Sequence, residues 1–397
     1  MKIVSKSNYF AIVLFAFLIA SCVSLNEEGT AQVISIDDKS FESPSSIHTK
    51  GVIKDIELVS LSQDSIFFGN IDNIIINDTL IYLLDKNQKQ CVYIYTITGR
   101  YLRTISRQGR GNTEYVRLSD IFVDKKNKTL NLLSRIDKRL LIYDVEGKKL
   151  MQAISLPKMF TAIQPIENGY LAYMGNYSED KKSPYNFWLL DNNFIIKSHF
   201  GKINPTIESR ENNDVYVFSS YNSKINIISE MNYDVYEIES PKETHQIKYQ
   251  YDFGKRNLPK NITTDMLDNP EDNFKLHNNY VCNLYRFQQI NNYCLAIILF
   301  QGQKRMIVWD KNTLQGDVAT LDTYQDKYLC GFGDIKGMDE KYIIAMEDAR
   351  TLYDIWLGHN EHNNFEIKYR KQVDNLRKQF PVIKPNDNPY LILYKLK

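Results

Sequence analysis

The chain has 397 residues, with 49 Lys+Arg against 48 Asp+Glu and a formal net charge of +1. It therefore lacks both the basic field that draws nucleic acid and any acidic tail, and no nucleic-acid partner is expected. Tyr (27) and Phe (19) are plentiful beside 17 Gly, a balance that suits strands packed face to face and excludes low-complexity sequence.

Residues 1–22 read as an export signal peptide. Lys2 and Lys6 give a basic start, residues 9–20 a short apolar core, and Leu18-Ile19-Ala20-Ser21-Cys22 the end. That core is too short to span a bilayer comfortably. A small-residue cleavage site followed at once by Cys resembles the bacterial lipobox, which implies that Cys22 is diacylated, becomes the mature N-terminus and anchors the chain in a membrane. Asn26-Glu27-Glu28 resembles the acidic tag that directs Bacteroidota lipoproteins to the cell surface. The expected location is the outer membrane, on its periplasmic face or at the cell surface. Residues 23–50 are polar and rich in Ser and Glu, and are expected to form a flexible tether.

From residue 51 to 397 the chain reads as one domain. Short apolar strands end in a large side chain at Tyr95, Tyr143, Leu190, Tyr236, Trp309 and Trp356, in steps of 48, 47, 46, 73 and 47 residues. A unit of about 47 residues holding several short strands is what a β-propeller blade looks like in sequence. The first unit has strand-like runs at 69–76, 80–85, 91–97 and 101–105, with turns at Asn77-Asp78 and Thr98-Gly99. The second repeats the plan at 118–124, 129–134, 140–145 and 149–154, with Glu146-Gly147 at the matching turn. Looser copies follow at 170–175 with 186–191, 224–229 with 233–238, 293–300 with 305–310, and 342–347 with 352–357. The one long step places an insertion at 240–279, between blades four and five, with an outer strand near 249–253 and then a polar excursion. Residues 368–379 read as a short exposed helix stopped by Pro381 and Pro385. The last apolar run, 390–396, is expected to complete one blade with 52–61 and so close the ring. The fold expected is all-β, a six-bladed β-propeller of four-stranded antiparallel blades with a short C-terminal helix before the closing strand. Cys91, Cys282, Cys294 and Cys330 fit no zinc or redox spacing. Cys282 and Cys294 read as small buried residues, with a disulfide across neighbouring strands as the alternative.

Gly109, Gly111, Glu114 and Tyr115, in the stretch 101–115, resemble the first inter-blade link of the Bacteroidota six-bladed β-propeller lipoproteins, where a G-x-G-P-G-E-Y segment follows a strand. Asn112 and Thr113 depart from it where Pro and Gly are usual. Tyr251-Asp252-Phe253-Gly254-Lys255 with Leu258-Pro259, and the run from Asp387 to Leu396, resemble two further stretches of that family. The resemblance runs from about residue 50 to the end and implies the fold and an exported, lipid-anchored location. That family is largely without assigned activity, so the resemblance carries over no catalytic residue.

Counting back 22 or 23 residues from the repeated large side chains gives Asp72, Asp120, Asp214, Arg286 and Asp334, in blades one, two, four, five and six; Gln164 lies 26 before Leu190 in blade three. First strands line the channel of a propeller, so these positions are expected to form a polar ring around one axis. Converging carboxylates raise one another's pKa unless a cation or Arg286 compensates. Ca²⁺, which takes roughly six to eight oxygens, is the candidate cofactor. The alternative is aspartates that bond turn amides and channel water. Trp188, Trp309 and Trp356, with the repeated tyrosines, are expected to pack between blades rather than to stack on sugars. Tyr177, Tyr185 and Tyr221 are better candidates for ligand contacts. His359-Asn360-Glu361-His362 lacks the order and helical context of a zinc protease, and neither a G-x-S-x-G elbow nor a P-loop occurs.

Two functional readings stay open. One is a non-catalytic binding or scaffolding protein of the cell envelope, with a glycan, a peptide or a partner protein as ligand. The other is a hydrolase or lyase whose axial site is built from the Asp ring and Arg286. The lack of a catalytic motif favours the first, although propellers assemble sites from scattered residues.

Overall fold

A computed structural model of the chain describes residues 31–62, 68–210, 215–239, 244–320, 327–329, 333–358 and 368–397. Its strands form six sheets arranged as a six-bladed β-propeller. From axis to rim, blade one is Asn73–Asn77, Leu80–Asp85, Cys91–Thr96 and Tyr101–Ile105. Blade two is Asp120–Asp124, Thr129–Ser134, Arg139–Asp144 and Leu150–Ser155, and blade three Ala162–Ile166, Gly169–Tyr173, Tyr185–Leu190 and Ile196–Lys202. Blade four runs Phe218–Tyr221, Lys224–Ile227, Asp234–Glu239 and Thr244–Asp252, and blade five Leu284–Ile290, Tyr293–Phe300, Gln303–Asp310 and Gln315–Thr320. The middle strands are buried on both faces, which is why they read as continuous apolar runs rather than as alternation.

Six apolar clusters hold the ring, one between each pair of adjacent blades. The repeated large residue enters them in turn. Tyr95 lies between blades six and one, Tyr143 between one and two, Leu190 between two and three, Tyr236 between three and four, and Trp309 between four and five. In blades one to four it also marks a β-bulge, where the register of the third strand against the fourth shifts immediately before Tyr95, Tyr143, Leu190 and Tyr236. The extra residue strengthens the local twist of the outer strand. The aspartate that follows closes the next turn: Asp144 accepts from the Lys148 N–H at 2.7 Å, Asp191 from Ile195 at 2.8 Å and Asp310 from Asn312 at 2.8 Å.

Blade six departs from the repeat. Residues 352–357, expected as a strand, belong to a helix, Ala349–Leu357. Asp348 caps it by accepting from the Arg350 N–H at 2.6 Å, and Gly358 ends it in the left-handed region at φ 77°. Trp356 therefore sits on a helix, and its spacing from Trp309 is a coincidence of length. After a second helix, Arg370–Gln379, the third strand of the blade is Tyr390–Leu396, where Tyr394 opposite Ile343 takes the place that Trp309 holds opposite Cys294. Asp334–Met338 and Tyr342–Glu347 are its inner strands, and Ile53–Ser60, antiparallel to Tyr390–Leu396, is its rim. Both ends of the chain thus complete one blade, as the apolar runs implied.

The expected tether is shorter than 23–50. Gln32–Ser35 adds to the rim of blade four, parallel to Thr244–Asp252, and Ser45–Ser46 adds to blade five, parallel to Gln315–Thr320. Between them a short helix, Asp38–Glu42, buries Phe41 beside Phe300, with ring centroids 5.1 Å apart. The polar composition of this stretch masked Ile34, Ile36, Phe41 and Ile47, all buried. These added strands cover two sheet edges that are otherwise open to pairing. The insertion also begins later than residue 240, because Thr244–Asp252 is the regular fourth strand of blade four. The excursion after it contains two helices, Thr264–Asp268 and Pro270–Asn279, started by the side chains of Thr263 and Asn269. Cys91, Cys282 and Cys294 are free and buried, so no disulfide joins the last two; burial pushes both thiols up to about 12. Cys330 lies outside the described residues.

Because the rim and the third strand of blade six come from opposite ends of the chain, deletion of residues 391–397 is expected to abolish the cooperative melt followed by far-ultraviolet circular dichroism. A truncated chain that melts as the full one does would contradict this closure.

Candidate functional site

The innermost strands of all six blades surround an axial cavity of about 240 Å³. Of the positions chosen by spacing, Asp120, Gln164 and Arg286 line it. Asp72 and Asp334 do not. Asp72 sits just before the inner strand of blade one and accepts from the Lys86 N–H at 2.8 Å and from the Asn87 side-chain amide, the turn-bonding use of aspartate. Asp334 is exposed and paired with Lys336 at 2.7 Å and Lys304 at 3.0 Å. Its offset was counted from Trp356, which lies on a helix, so the count had no structural meaning in blade six. Asp214 and the 359–362 stretch lie outside the described residues.

Tyr216 dominates the axis instead. It immediately precedes the inner strand of blade four, and its hydroxyl donates to the backbone carbonyl of Asp72 in blade one, on the far side of a six-membered ring. The Arg286 guanidinium lies 3.4 Å from the centroid of its ring and the Lys86 ammonium 5.9 Å. Arg286, itself buried, donates to the Lys336 carbonyl of blade six at 2.9 Å. A desolvated cation over an aromatic face is held by the quadrupole of the ring. One tyrosine thus crosses the channel at the end where the inner strands begin, held by groups from blades one and five.

Asp120 faces these cations. Burial pushes its carboxyl up to about 7, with the charge of Lys86, the Ile121 N–H and the charge of Arg286 drawing it only part of the way back. Asp339 of blade six, also on the cavity wall, is raised by burial too, although it accepts from the Lys341 and Tyr342 N–H groups at 2.7 and 2.8 Å. Glu230, Gln288 and Lys125 add to the polar lining. Neither they nor Tyr216 lie at the fixed offset from the repeated residue, and no motif marks them. Among the described residues no three His, Cys, Asp or Glu side chains are placed to share a metal ion. The positive charge beside Asp120 comes from Lys86 and Arg286, where the spacing argument allowed for Ca²⁺. Of the loop tyrosines, Tyr185 stacks on His199 with centroids 4.0 Å apart and Tyr221 lies under Lys311. Tyr177 lines a second cavity, on the face where the inner strands begin.

The profile of a domain of unknown function, DUF4934, matches residues 31–395. The chain belongs to the DUF4934 family. The DUF4934 match begins just before the strand that joins blade four. Among solved structures the chain is similar to a protein of Bacteroides fragilis NCTC 9343 inferred to be exported, with a TM-score of 0.71 over 92% of this chain and 100% of that one at 16% identity. That likeness is one of fold. A member of the DUF4221 family from Bacteroides vulgatus ATCC 8482 gives a TM-score of 0.45 at 11% identity, over 87% of this chain and 97% of that one.

Folding raises the Asp120 pKa to about 7, so its contribution to stability is fully present below the unfolded value near 4 and is lost as pH rises through 7. Asp120→Asn removes that titration. It is expected to melt with the parent near pH 4 and above it at pH 8, by on the order of 1–3 kcal/mol. Thermal melts at the two pH values check this, and an equal offset at both contradicts it.

Proposed function

We propose that this DUF4934 chain is an exported, lipid-anchored binding protein of the cell envelope, which meets its ligand on the loop face where the inner strands begin. The observation that carries the reading is Tyr216, which crosses the axis at that face between Arg286 and Lys86. Axial catalysis needs an acid and a base converging on an open path for substrate. Here Tyr216 crosses the path at one end, Lys86 and Arg286 partly compensate Asp120, and Asp72 and Asp334 are engaged in the structure. The compensation by Lys86 and Arg286 also supports binding without Ca²⁺. The ligand is a glycan, a peptide or a partner protein. Attachment through Cys22 to the outer membrane, at its periplasmic face or the cell surface, is supported by the lipobox-like sequence and by the fold shared with a protein inferred to be exported. Since Gln32 is fixed on blade four, residues 23–31 reach at most about 30 Å when extended, which would hold the propeller close to the bilayer.

Cys22→Ala is expected to move the protein from the membrane fraction to the soluble envelope fraction, and retention in the membrane would refute lipidation. On glycan and peptide arrays the mature chain is expected to bind a component without converting it, equally with and without EDTA. Conversion of a bound component to product, lost in Asp120→Asn, would favour the hydrolase or lyase reading instead.

A further inference from the structure

A second cavity, of about 330 Å³, opens on the same face among the loops of blades one, two and three. Lys86, Arg117 and Arg135 line it, each from a different loop, and among the described residues no carboxylate does. Over the whole chain the charges nearly cancel, so this concentration of one sign is a local arrangement and does not follow from composition. Two carboxylates steady the wall of this cavity: Asp72 accepts from the Lys86 N–H at 2.8 Å and from the Asn87 side-chain amide, and Glu179 accepts from the Met159 N–H at 3.1 Å and pairs with Lys138 at 2.9 Å.

The site is also pre-organised. The Arg117 backbone is pinned to blade two, its carbonyl accepting from the Ser134 hydroxyl at 2.8 Å. The link that carries it is steadied by the glycine motif, since the Glu114 carboxylate accepts from the Gly111 N–H at 2.8 Å and packs against Gly109. Arg135 lies over the Tyr177 ring, 5.3 Å from its centroid, which makes a flat wall with a cation behind it. Ile136, 56% exposed, adds apolar surface at the rim. A guanidinium held over a ring, as that of Arg135 is, matches the planar, bidentate geometry of an oxyanion.

We infer that this cavity is an oxyanion-binding site, which takes a carboxylate, sulfate or phosphate group carried on a body of monosaccharide or amino-acid size. The anion meets Arg117 and Arg135, and the body lies against Tyr177 and Ile136. This assignment rests on the binding-protein reading and supplies its ligand class.

The test is isothermal titration of the mature chain at low salt with inorganic sulfate, inorganic phosphate, glucuronate, N-acetylleucine and, as a neutral control, glucose. At least one oxyanion is expected to bind and glucose is not. Arg117→Gln and Arg135→Gln should each weaken binding roughly tenfold or more, and raising NaCl from about 20 to about 500 mM should weaken it further. Tighter binding of glucuronate than of the inorganic ions identifies an acidic sugar, tighter binding of N-acetylleucine an amino-acid carboxylate, and parity a free ion. Failure of every oxyanion to bind, equal binding of glucose, or affinity unchanged in both variants overturns the site. An array component bound equally by the parent and the double variant overturns this site and leaves the binding-protein reading standing. Conversion of that component to product overturns that reading instead.

Discussion

A four-stranded sheet made of runs such as Leu80–Asp85 and Cys91–Thr96 has two apolar faces and no means of covering both by itself. The ring supplies each blade with a neighbour on either side, and six clusters, each drawn from two blades, convert the exposed faces into interfaces. Burying one large apolar side chain is worth about 1.5–3 kcal/mol, and each interface buries several. Tyr95, Tyr143 and Trp309 recur at one place because that place always faces the preceding blade. Since the interfaces carry the stability, the rim and loops are free to vary. The helices after blade four and inside blade six, and the strands added to blades four and five, leave the ring unchanged.

Convergence at the axis creates the opposite problem. Inner strands bring backbone and polar groups together where water is scarce, and something has to satisfy them. Here the filling is a tyrosine held between two cations and hydrogen-bonded across the ring, with one carboxyl whose proton affinity is raised towards neutrality. Arg286 serves twice, as the partner of the Tyr216 ring and as a donor to blade six. The axis therefore ties blades one, four, five and six to one another through Tyr216 and Arg286.

The blade plan was legible because it is a packing rule repeated in the chain. The large residue that follows a bulge, the aspartate that closes the next turn, and glycines such as Gly99 and Gly147 at positive φ all leave local marks. What misled the reading had physical causes. Trp356 kept the interval while its neighbours, Leu352 and Ile355, are spaced for a helix face. The 31–50 stretch buries apolar residues too far apart to look like a strand. The axial site was legible only in part, because its geometry depends on loop length. An offset counted from the third strand found Asp120 and Arg286, where the loops are regular, and missed Tyr216, which lies before its strand. The basic cavity could not be read at all, since Lys86, Arg117 and Arg135 meet only after three loops fold onto one face.

The joining of Ile53–Ser60 to Tyr390–Leu396 bears on timing. An early strand waits at the rim of a blade whose third strand is made only after the other five blades. Until that segment arrives the ring is open, and blades one and five each lack a neighbour. Contacts so distant in sequence form slowly, which keeps the ring from locking before Tyr390–Leu396 has been made. The ring thus closes in one late step, and the blades made before it gain their full set of neighbours only then.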